Sequence, residues 1–136
     1  MKDKIIAAFD FDGTILSKDS FPDFLIHTFG KVSFLKHLPF IILMKLAAIT
    51  GLLSAHRAKE AVFSSFTKGM NVDNYRRSCQ FYAQQIAKAI YPSALEEIRK
   101  HIKAGHQVVI VSASVSDWIR PWAASEGIHH VVATEV

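Results

Sequence analysis

Three short apolar runs constrain this chain most: Ile5–Phe9, Val108–Val111 and Val131–Ala133, each rich in β-branched residues or alanine and none alternating with polar residues. Runs of this kind suit parallel strands buried on both faces. Between the second and third lies Val115–Gly127, a segment of helix length with Ser116 and Asp117 as capping residues at its start and Glu126-Gly127 as its stop. That completes a βαβ unit. Pro121 inside it removes the bond to the Asp117 carbonyl, which predicts a kink or a late helix start. Ahead of the second run, Tyr91–Gly105 puts Leu95, Ile98 and Ile102 on one face, with acids early, bases late and Gly105 as the stop, so it reads as a helix.

The block from Asp19 to Ile90 carries no strand pattern. Its periodicity predicts helices near 20–29, 32–50, 55–68 and 72–90, with Ser54 and Asn71 as N-caps. An insert of about 70 residues is too long for a βα connection and reads as a lid over the carboxyl ends of the strands. The fold class is therefore α/β: a parallel sheet built from 1–17 and 92–136, with an all-helical insert at 18–91.

Composition narrows the function. At 136 residues the chain holds one domain, or one domain with an insert, and 50% apolar against 21% charged residues excludes a disordered chain. The net charge is +4, but the basic residues are scattered rather than gathered in a run that would track a nucleic-acid backbone, so nucleic acid is not an expected partner. One cysteine, Cys79, with no partner for a disulfide or a zinc pattern, fits a reducing compartment. The apolar run before Asp10, Ile5–Phe9, has only five residues, too few for a signal peptide, and the expected location is the cytoplasm. The most apolar stretch, Leu38–Leu53, falls short of the ~20 residues of a spanning helix and has Lys45 near its middle.

Strand one ends in Phe9-Asp10-Phe11-Asp12-Gly13-Thr14. Strand alternation lets Asp10 and Asp12 point to one side beyond the carboxyl end of a parallel strand, where open α/β sheets bind ligands. Two carboxylates there call for a cation. Gly13 permits a sharp turn and a close approach to a phosphate, and Thr14 brings a hydroxyl and an amide. Ser112 and Ala113 close the second run with a hydroxyl and an amide next to a helix N-terminus, which favours anions. A calcium loop counted from Asp10 would need Gly at its sixth position and Glu at its twelfth, where Ile15 and Phe21 stand.

These residues resemble the haloacid dehalogenase superfamily, in particular the subgroup that includes phosphoserine phosphatase. Its Asp-x-Asp-Gly/Ser-Thr motif matches Asp10–Thr14, its strand-ending Ser or Thr matches Ser112, and the helical insert after the first motif is similar to that subgroup's cap over a Rossmann-like core. The resemblance implies a Mg²⁺-dependent phosphomonoester hydrolase acting on a small phosphorylated substrate. It makes Asp10 the nucleophile that becomes an aspartyl-phosphate and Asp12 the acid, then base; the Asp10 carboxylate and the Asp12 carbonyl would hold the metal. Asp19 stands where the family carries an acid that contacts the substrate amine, though it equally suits a helix cap. Arg57 and Lys59 on the third insert helix face either a substrate anion or solvent.

Two alternatives stay open. Phosphatidylglycerophosphate-type phosphatases of the same superfamily share the pattern, and 38–53 is apolar on nearly every side, which would suit a membrane surface. The other is a non-catalytic relative, because the family's later Lys and acidic pair have no counterpart before Thr134-Glu135-Val136. That departure leads to the expectation of an amino-terminal portion of a longer protein, prone to self-association through an exposed edge of strand one.

Overall fold

A computed structural model describes residues 3–136 of the chain. The elements run β1 (Ile6–Asp10), α1 (Ser20–Phe29), α2 (Lys31–Ile49), α3 (Ala55–Thr67), α4 (Val72–Ile86), a 3₁₀ turn at Ala87–Ala89, α5 (Pro92–Lys103), β2 (Gln107–Val115), α6 (Ser116–Ser125) and β3 (His130–Thr134). Among the described residues one sheet forms, wholly parallel, in the order β1-β2-β3. Ile6 pairs with Gln107 and Asp10 with Val111, while Val109 pairs with His130 and Val111 with Val132.

That register puts Ala7, Phe9, Val108, Ile110 and Val131 on one face, where α5 packs on β2 and α6 on β3. Phe9 meets His101 of α5 edge to face at 5.8 Å, and Ile98, Trp118, Ile119 and Trp122 fill the layer above the sheet. The other face carries Ile6, Ala8, Asp10, Val111 and Val132, all exposed. Burial on both faces, expected from the unbroken apolar runs, is thus corrected: the strands are parallel, but both helices adjoining the sheet strands contribute to the layer on the Phe9 side.

Three details are added to the expectations. β2 runs to Val115, one residue past the expected end at Ser112–Ser114, with an irregular register between Val111 and Val115. α6 starts at Ser116 and continues through Pro121, so no late start occurs; its N-cap is Val115, and Ser116 is buried with its hydroxyl unpartnered instead of capping. α2 spans Lys31–Ile49, within a residue of the predicted 32–50, and its 19 residues, unlike the shorter run at 38–53, are by length and composition sufficient to cross a membrane.

The chain packs as two compact units, one of residues up to Asp23 together with Arg76–Val136, the other Phe24–Tyr75. In the second, α2 lies on α3 and Phe66 is its hub, stacked on His37 at 4.1 Å and near Phe29 and Phe34. Ser54 caps α3 by accepting the Arg57 amide at 3.2 Å, and Asn71 Oδ1 accepts the Asp73 amide at the start of α4.

Candidate active site

Asp10 is the last residue of β1, and the chain leaves the sheet there in a tight loop. The Phe11 carbonyl accepts the amides of Thr14 at 3.3 Å and of Ile15 and Leu16 at 2.9 Å, while the Gly13 amide donates to the Leu16 carbonyl at 2.8 Å. Gly13 sits at φ +76°, a conformation that costs a side chain about 1–2 kcal/mol, and this explains the glycine. Beyond the loop, Ile15–Ser17 pair antiparallel with Ala89–Tyr91: Ser17 donates to the Ala89 carbonyl and Tyr91 to the Ile15 carbonyl, both at 2.9 Å. Phe11, Ile15 and Leu16 are completely buried, so the loop is anchored by its apolar side while Asp10, Gly13 and Thr14 stay exposed.

The two acids of the motif sit in different surroundings. Asp10 is exposed; its Oδ1 accepts the Phe11 amide at 2.8 Å and its Oδ2 lies 3.4 Å from the Thr14 hydroxyl. Asp12 is half-buried and its Oδ1 accepts the Ser20 amide at 3.1 Å, at the first turn of α1. The Thr14 amide, expected to face an oxyanion, is instead engaged inside the loop, as is the Gly13 amide. Thr14 keeps its hydroxyl on the Asp10 side.

Pairing of Asp10 with Val111 puts Ser112 one residue beyond the nucleophile candidate on the neighbouring strand. Its Oγ accepts the Ser114 amide at 3.0 Å, which orients the hydroxyl, and the Ala113 carbonyl accepts the Thr134 hydroxyl. Asp19 accepts the Phe21 amide at 3.1 Å and so caps α1. Arg57 is exposed and Lys59 half-buried, both on α3 in the second unit.

A buried polar cluster behind Asp12 had no counterpart in the sequence reading. Ser20 is its centre: Oγ meets Ser114 Oγ at 2.7 Å and accepts the Trp118 indole N–H at 3.1 Å, and its carbonyl accepts the Tyr82 hydroxyl at 3.3 Å. Tyr82 also reaches Asp23 Oδ2 at 2.8 Å, itself paired with Lys18. Burial pushes the Tyr82 phenol far above its usual range, with its hydrogen bond to Asp23 and the charges of Asp23, Asp12 and Asp19 adding to it. It therefore stays a donor. The only sequence trace of the cluster is the pair of serines in Ser112-Ala113-Ser114 and a serine directly after Asp19.

For a metal, no group of three or more His, Cys, Asp or Glu side chains converges among the described residues. The donors at the end of β1 are oxygens only, an exposed carboxylate on Asp10 and the main chain of Asp12. Such a set fits a hard cation that keeps most of its shell as water and substrate phosphate.

The model of the family described as haloacid dehalogenase-like hydrolase matches residues 7–136. The protein CicA of Caulobacter vibrioides is 31% identical over 136 residues, a match covering 97% of this chain and 59% of CicA. The chain thus spans about three fifths of the length of that curated relative. Two solved structures share the fold: a protein of unknown function from Bordetella pertussis Tohama I (TM-score 0.78, 22% identity, 98% of this chain and 61% of that one) and a phospho-aspartyl intermediate analogue of phosphoserine phosphatase (TM-score 0.61, 17% identity, 97% and 56%). At these identities they establish the fold, a Rossmann-like core with a helical cap.

Proposed function

The chain belongs to the haloacid dehalogenase-like hydrolase family, and from that premise we propose that residues 10–14 and 112–113 form the centre of a Mg²⁺-dependent phosphomonoester hydrolase working through an aspartyl-phosphate. One observation carries this reading: two carboxylates two residues apart differ in surroundings, Asp10 exposed at the strand end and Asp12 half-buried with one oxygen fixed by the Ser20 amide. Resemblance to a phosphoserine phosphatase fold captured as a phospho-aspartyl analogue supports it.

With Oδ1 taken by the Phe11 amide, Asp10 presents Oδ2 to phosphorus. As the new O–P bond forms, the bond from phosphorus to the leaving alcohol oxygen breaks, and that oxygen takes a proton from Asp12. In the second half Asp12, now ionised, removes a proton from water; the water oxygen bonds phosphorus, the bond from phosphorus to Asp10 breaks, and inorganic phosphate leaves with both acids restored. Ser112 donates its hydroxyl to a phosphoryl oxygen, its oxygen being held by the Ser114 amide. The Thr14 hydroxyl steadies Asp10. The Asp10 carboxylate and the Asp12 carbonyl would hold Mg²⁺, which when bound offsets the repulsion between carboxylate and phosphate dianion.

Hydrolysis of p-nitrophenyl phosphate with Mg²⁺ tests the reading. Asp10→Asn should lower turnover by roughly 10³-fold or more with the fold intact by circular dichroism. Retained hydrolysis in that variant overturns the assignment.

A further inference from the structure

Helix α2 has two faces of different character. Phe34, His37, Ile41 and Met44 are half-buried on the side toward α3. At ~100° per residue the opposite stripe is Val32, Leu35, Ile42, Leu43, Leu46 and Ile49, between 49% and 81% exposed. A helix on the surface of a water-soluble domain carries polar residues on its outer side. Here the outer side is the apolar one, and a contiguous patch of this kind marks an interaction surface.

Charge says what covers it. The same angular count puts Lys36 and Lys45, both exposed, on opposite edges of the stripe, where long stems lie along an apolar layer and ammonium groups rise to its border. No Asp or Glu occurs between Asp23 and Glu60, while Lys31, Lys36, Lys45, Arg57 and Lys59 all fall in that interval. A second copy of the chain would set lysine edges against each other with no carboxylate from this interval to answer them. Crossing a bilayer would need lipid or apolar protein on every side, whereas α2 lies on α3, whose sequence includes Arg57, Lys59 and Glu60. We propose that the outer face of α2 docks in the plane of an anionic lipid bilayer, with its leucines in the acyl boundary and Lys36 and Lys45 at the headgroups. The docking is independent of the phosphatase reading.

Co-sedimentation with vesicles of phosphatidylcholine alone and of phosphatidylcholine mixed with phosphatidylglycerol tests it, alongside size-exclusion chromatography with light scattering. The chain should sediment with the mixed vesicles, more weakly with the neutral ones, and less as salt rises. Leu35→Ser/Leu43→Ser/Leu46→Ser should lose at least ~10-fold in partitioning. Lys36→Gln/Lys45→Gln, which leaves the packed face untouched, should lose about 5-fold per lysine on the mixed vesicles alone, and decides the matter if the triple variant misfolds. Absence of sedimentation, equal binding to both vesicle types, or resistance to alkaline carbonate extraction would overturn in-plane docking. So would a solution dimer that the triple variant converts to monomer.

Discussion

The Ser20 amide donates to Asp12 Oδ1 at 3.1 Å, and the side chain of the same serine meets Ser114 at the far end of β2. The first residue of α1 thereby ties the proposed acid/base to the strand carrying Ser112, 92 residues further along (112 − 20). Every member of this cluster lies in the sheet-bearing unit.

A double-mutant cycle reads that link. Ser20→Ala keeps the amide on Asp12 but strips the buried Ser114 hydroxyl and Trp118 indole of a partner, and Ser114→Ala strips Ser20 in turn. Each should cost about 1–3 kcal/mol in urea unfolding. Because the two share one bond, the double variant should fall short of additivity by ~0.5 kcal/mol or more. Strict additivity would mean the hydroxyls do not interact.

Tyr82 gives a pH dependence of definite sign. Its folded pKa is raised above the unfolded value of about 10 by burial first and by its hydrogen bond to Asp23 next, so its stabilisation is complete below pH ~10 and falls as pH rises beyond that point. The unfolded chain releases the proton while the folded one keeps it, and stability drops by up to about 1.4 kcal/mol per pH unit. Unfolding at pH 8 to 11 should show this steeper fall in the wild type relative to Tyr82→Phe. Parallel curves would contradict the buried, neutral phenol.

Gly13 separates conformation from crowding. A Cβ built there meets nothing within 4 Å, so any cost comes from φ +76° alone. Gly13→Ala should destabilise by about 1–2 kcal/mol and Gly13→Asn by less, since asparagine tolerates this region. Equal losses in thermal unfolding would show that something other than backbone conformation selects glycine.

Much of the fold was legible because its signals are local. The Asp10–Thr14 motif follows directly on a β-branched run, Ser54 and Asn71 cap helices where expected, and Gly105 stops α5 at φ +78°. What escaped is non-local. The contacts of Ser20 with Ser114 and Trp118 join residues 94 and 98 positions apart, and no periodicity encodes them. The irregular register of β2 between Val111 and Val115 was hidden as well, since nothing in Ser112-Ala113-Ser114 signals it. The open face of β1 was hidden too, since Ile6 and Ala8 are as apolar as residues that face a core.

Trapping the phosphoenzyme tests the nucleophile most directly. Protein quenched in acid during turnover of p-nitrophenyl phosphate, then reduced with borohydride and mapped by peptide mass, should carry the modification at Asp10. Asp12→Asn should accumulate more of it, because p-nitrophenolate leaves without a proton while water still needs a base; Asp10→Asn should carry none. Modification at another residue, or Mg²⁺-dependent turnover with Asp10 unmodified throughout, would contradict the assignment.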